Sequence, residues 1–136
     1  MDIKYTINDL DEIADLLLEK SKSRILLFHG EMGVGKTTLI KTLVSKLGSS
    51  DEVQSPTYSL VNEYKTKDAS IYHFDLYRVN DSEELYNFGF EEYLFENHWV
   101  FIEWPEIASE FLTDGVTEIH LELEENNSRK INIINT

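Results

Sequence analysis

Leu10, Ile13, Ala14, Leu17 and Leu18 recur at helical spacing behind Asn8, a good N-cap, so an amphipathic helix is expected from roughly Asp9 to Lys20. The pattern then changes. "RILLFHG" is a short unbroken apolar run ended by glycine, which suits a strand buried on both faces. Helical spacing returns with Leu39, Ile40, Leu43, Val44 and Leu47, giving a helix from Gly35 or Lys36 to Leu47 with Gly48 as its stop. Strand, glycine bend and helix make a first unit.

Two further runs, "TYSLVNEY" and "IYHFDLYRV", flank the turn-like "KTKDAS" and read as an antiparallel hairpin. "NDSEELYNFGFEEYLFEN" opens with cap-forming and acidic residues and carries Leu85, Phe88, Tyr93 and Leu94, so a helix broken at Gly89 is expected. "HWVFIEWPE" is another buried strand, closed by Pro105. In "VTEIHLELEE" Ile119, Leu121 and Leu123 alternate with Glu118, His120 and Glu122, and "RKINIINT" returns after "NNS", the pattern of a hairpin with one wet face. His120 falls on that wet face, where exposure is expected. The four histidines show no metal spacing along the chain.

The length of 136 residues suits one domain, residues 1–136. No apolar run is long enough to cross a bilayer, and "MDIKYTINDLDEIADLL" lacks the basic and apolar regions of a secretion signal, so a cytoplasmic protein with no membrane partner is expected. With no cysteine, disulfides, thiolate nucleophiles and thiolate-rich zinc sites are excluded together. A net charge of −14 disfavours direct nucleic-acid binding, which rests on Lys and Arg displacing counterions. The same charge suits either a basic partner face or simple solvation.

"GEMGVGKT", Gly30 to Thr37, satisfies G-x-x-x-x-G-K-[ST], the P-loop or Walker A pattern, at every fixed position and lies between a buried strand and a helix. The glycines let backbone N–H groups turn inward around a phosphate, and the helix N-terminus adds its positive end. Lys36 is the expected phosphate ligand and Thr37 the expected magnesium ligand. The expected fold is therefore α/β: a P-loop NTPase-like three-layer α/β/α arrangement with a mixed, mainly parallel sheet and a C-terminal antiparallel hairpin.

A carboxylate near the metal is expected at the end of a neighbouring buried strand, and "WVFIE" supplies Glu103 there. Asp75 competes for such a role. Alternation places it with His73 and Tyr77, where it could orient water or hold metal through water, or else pair with Arg78 or cap a turn. In "SPTYS", Pro56 stiffens the loop and Thr57 presents a hydroxyl either to the γ-phosphate and its magnesium or to the local backbone. Trp104 suits a cover on the core, the commoner fate, or a surface beside the nucleotide.

Neither N-K-x-D nor D-x-x-G occurs, which favours adenine over guanine. Arg24, Arg78 and Arg129 are the only arginines, fewer than a small-molecule kinase usually gathers around two phosphorylated substrates. These residues lead to a small magnesium-dependent ATPase, with a small kinase or a nucleotide-sensing interaction module as the alternatives.

The series "GEMGVGKTTL", "SPTYSLVNEY", "YHFDLYRV", "EELYNFG" and "FIEWPE", in this order and spacing, resembles the TsaE (YjeE) family of bacterial P-loop ATPases and covers most of the chain. The resemblance implies ATP and Mg2+ as cofactors and slow hydrolysis that supports a TsaD–TsaB complex. With TsaC, that complex forms the threonylcarbamoyl group on adenosine 37 of tRNAs reading codons that begin with A, and the transfer itself belongs to TsaD. It also implies that tRNA is met only indirectly. Carried over, Gly33, Val34, Gly35, Lys36, Thr37 and Thr38 would hold the phosphates, Thr37 and Glu103 the magnesium, and Asp75 with Lys36 would serve hydrolysis. Thr57 would lie in a switch-like loop and Trp104 near the nucleotide. Arg129 would also touch it, although Ser128 stands where the family glycine is expected. The stretch from Thr6 to Asp11 would approach the adenine.

Overall fold

The computed structural model describes residues 2–54, 60–95, 98–113 and 115–136. Among these, seven strands form one sheet: β1 (Asp2–Tyr5), β2 (Ile25–His29), β3 (Val61–Lys65), β4 (Ser70–Asp75), β5 (Trp99–Glu103), β6 (Thr117–Leu123) and β7 (Arg129–Asn135). Their order is β1-β7-β6-β2-β5-β4-β3. The central pairings β6–β2, β2–β5 and β5–β4 are parallel, while the outer pairings are antiparallel. Parallel strands thus occupy only the middle of the sheet. This suits their need for cover on both faces.

Alternation along the central strands divides two cores. Leu26, Phe28 and Phe101 face α1 (Leu10–Lys20) and α2 (Lys36–Lys46), together with Leu17, Leu39 and Leu43. Leu27, Val100, Ile102 and Phe74 face the opposite layer of α3 (Ser82–Phe88), α4 (Phe90–Phe95) and a 3-10 segment, Pro105–Phe111. The expected three layers are present. Gly89 separates α3 from α4 at φ +84°, a left-handed conformation that costs glycine little.

Two local expectations change, and one strand is added. Asn8 does not cap the first helix: a 3-10 turn, Ile7–Asp9, precedes it, and the Asp9 carboxylate accepts from the Thr6 N–H at 2.9 Å and the Thr6 hydroxyl at 3.1 Å. Asp2–Tyr5 is a strand, because β7 offers it an edge, Tyr5 pairing with Arg129 and Asp2 with Asn132. β4 ends at Asp75 and turns at once, Val79 N–H bonding Leu76 C=O at 3.0 Å. Thr57 lies outside the described residues.

Candidate functional site

The glycine bend takes the path its composition predicted. Gly30, Gly33 and Gly35 have φ of +152°, +84° and +105°, and Gly35 immediately precedes α2. A Cβ on Gly30 would stand 2.8 Å from the Leu121 carbonyl oxygen and from Val34 Cγ1, so close approach as well as conformation demands glycine there. Gly33 faces open space. Val34 is buried, so it can serve a ligand only through its backbone.

Lys36 is also buried, with its ammonium donating to the Gly30 carbonyl at 2.6 Å and lying 3.5 Å from the centre of the Trp104 ring. Burial pushes its pKa down, opposed by the nearby negative charges of Glu103, Asp75 and Glu106. Trp104 is therefore a wall of the lysine's pocket rather than a cover on the core, which was the commoner expectation. Its backbone sits at φ +54°, a strained conformation for a tryptophan preceding proline.

Glu103 is 3% exposed at the end of β5. Its carboxylate accepts from the Thr37 hydroxyl at 3.1 and 3.2 Å and meets His73 Nε2 at 2.7 Å. A carboxylate only accepts, so Nε2 is the donor, and Nδ1 lies 2.9 Å from the Tyr64 hydroxyl, which also reaches the Gln54 carbonyl at 3.2 Å. His73 is fully buried. This Tyr64–His73–Glu103–Thr37 chain was missed from sequence, although β4 alternation had put His73 on the face of Asp75.

Asp75 lies beside Glu103 in the β4–β5 register. Its carboxylate accepts from the Tyr77 N–H at 3.0 Å, so it caps the turn after β4 and also lines the site. Burial raises its pKa above the ordinary carboxylate value, the Tyr77 bond opposing and the Glu103 charge reinforcing. Gly33, Lys36, Thr37, Asp75, Glu103 and Trp104 share one cleft of ≈ 280 Å³. Within it, Thr37 and Glu103 present hard oxygen donors side by side, the donor type that magnesium takes.

Arg129 and Thr38 stand apart from that cleft, across Gly35. Arg129 Nε donates to the Val34 carbonyl at 2.8 Å, so it braces the glycine bend. With Tyr5, Ile7 and Leu10, these two residues line a hollow of ≈ 30 Å³. The buried Tyr5 hydroxyl has no hydrogen-bond partner among the described residues, and burial raises its pKa.

Residues 5–131 match the family model described as threonylcarbamoyl adenosine biosynthesis protein TsaE. A tRNA threonylcarbamoyladenosine biosynthesis protein TsaE from Rickettsia conorii is 38% identical, the match covering 96% of this chain and 77% of the relative. The protein of that name from Aquifex aeolicus is 37% identical over 90% of this chain and 84% of its own. The crystal structure of Bacillus subtilis YdiB superposes with a TM-score of 0.70 over 96% of this chain and 83% of that one, at 24% identity, and so shares the fold. The chain belongs to the TsaE family of threonylcarbamoyladenosine biosynthesis proteins.

Proposed function

We propose that this protein is a magnesium-dependent ATPase that binds and slowly hydrolyses ATP to support a TsaD–TsaB complex in forming N6-threonylcarbamoyladenosine at position 37 of tRNAs. The observation that carries this reading is the Thr37–Glu103 contact at the base of the glycine bend, which joins α2 to the end of β5. In such a site magnesium would be held by the Thr37 hydroxyl and Glu103, and it would neutralise charge on the phosphates. Backbone N–H groups from Gly33 to Thr38 would bind those phosphates, with Lys36 leaving the Gly30 carbonyl to join them. Tyr64 and His73 fix the Glu103 carboxylate from behind. Asp75, beside the cleft, would orient the attacking water, and its raised pKa makes it a better proton acceptor than an exposed aspartate. Trp104 would flank the nucleotide, and the Tyr5–Arg129 hollow supports the base lying across Gly35.

The test measures ATP turnover alone and with purified TsaD and TsaB, beside tRNA modification by the reconstituted system. Stimulated turnover, with both turnover and modification lost in Asp75→Asn, is expected. Continued modification by an Asp75→Asn protein that binds ATP without hydrolysing it would replace this reading with a nucleotide-sensing module. Phosphate transfer from ATP to a metabolite would replace it with a kinase.

A further inference from the structure

A cleft of ≈ 490 Å³, larger than the Lys36–Thr37 cleft and separate from it, lies where β6 runs beside the start of the glycine bend. His29 ends β2 and His120 is its register partner on β6, so parallel pairing sets the two imidazoles side by side, stacked at 4.3 Å between ring centres. This overturns the exposure expected for His120, which β2 half covers. Glu118, two residues earlier on the same face of β6, brings its Oε1 to 3.1 Å from His29 Nε2. Among the described residues, His29, Glu118 and His120 form a group whose ligand-type atoms lie within 4.8 Å of one another.

We propose that His29, Glu118 and His120 bind a divalent transition-metal ion, zinc foremost, at a site separate from the nucleotide's magnesium. Two ligands about 2.0–2.2 Å from a tetrahedral zinc lie about 3.3–3.5 Å apart, close to the present His29–Glu118 separation. The other nitrogen of His29, Nδ1, lies 3.4 Å from the Glu106 carboxylate. In the metal-bound form Nε2 gives up its hydrogen bond to Glu118 and faces the ion, while Nδ1 keeps its proton beside Glu106, the arrangement in which a carboxylate orients a ligating histidine. His120 completes the set by turning its ring out of the stack so that its lone pair meets the ion. The cleft provides entry and room for water as the fourth ligand. Two imidazoles and one carboxylate select zinc or cobalt over magnesium, which prefers an all-oxygen shell.

Untagged, chelator-stripped full-length protein without nucleotide is titrated with Co2+, and then with Zn2+ in competition, in the presence of excess Mg2+. Expected are the visible absorption bands of four-coordinate cobalt at one ion per chain, erased by zinc and indifferent to magnesium. His120→Ala and Glu118→Gln should each weaken binding about tenfold or more, while Glu103→Gln leaves it intact. Circular dichroism establishes that each variant is folded, and either of the first two suffices for the decision. Absent bands, binding that survives both ligand substitutions, or binding lost with Glu103→Gln alone would overturn the proposal. The last result would place the ion at the phosphate-binding lysine's cleft.

Discussion

Lys36 shows how one side chain is held ready by its neighbours. Its ammonium rests on the Gly30 carbonyl and the Trp104 face, contacts that a triphosphate would replace with stronger charge-assisted bonds. Lys36→Ala should therefore cost about 1.5–3 kcal/mol of ATP affinity, roughly tenfold to a hundredfold, as read by calorimetry. Unchanged affinity would remove the lysine from the phosphate site. Asp75 carries a different liability. Because its folded pKa is raised, its contribution to stability is present below the ordinary carboxylate value and is lost as pH rises through the raised value. An uncharged replacement escapes that loss. Asp75→Asn should unfold at a higher temperature than the parent at neutral pH, with the gap closing as the pH falls through the raised value. A gap that is constant with pH would contradict burial as the cause.

At the scale of elements, the glycine bend is where backbone geometry constrains the sequence most. Gly30→Ala places a methyl against the Leu121 carbonyl, on a neighbouring strand that cannot swing aside like a flexible side chain. A loss of about 1–3 kcal/mol from strain is expected by urea unfolding, with weaker nucleotide binding. Gly48→Ala is the control, because φ there is also positive, +99°, but the surrounding space is open and only the backbone penalty applies. Equal losses in the two variants would show that the approach to β6 does not matter. The bend was legible in the sequence because strand, glycines, lysine and helix are contiguous. The elements around it were less so. β1 has no strong apolar pattern of its own and becomes a strand by pairing with β7. The assignments of His73 and His120 were incomplete because their surroundings come from distant strands, Glu103 lying 30 positions from His73. Periodicity can put a side chain on a face. It does not show what the adjacent strand contributes.

Over the whole molecule, 26 acidic residues against 12 basic ones leave a large excess of one sign on a small fold. Self-repulsion opposes compaction, and salt screens it over about 10 Å at 0.1 M. The unfolding temperature should rise between dilute buffer and physiological ionic strength, as scanning calorimetry can show. A fall would mean that the ion pairs gain more from low salt than the net charge loses. The three-layer architecture was legible because the central strands are uniformly apolar and the helices carry a single apolar side each. Strand order was not, since the alternation within β6 and β7 fits several neighbours.

That order places the first strand beside the last. β1 cannot find its partner until Arg129–Asn132 have left the ribosome, and β6, which flanks the strand leading into the glycine bend, is also made after that bend. Until Arg129 follows, the nascent chain therefore carries the complete "GEMGVGKT" stretch without the arginine that braces it. A chain whose Arg129 has not yet emerged holds that bend with the Val34 carbonyl still waiting for its donor.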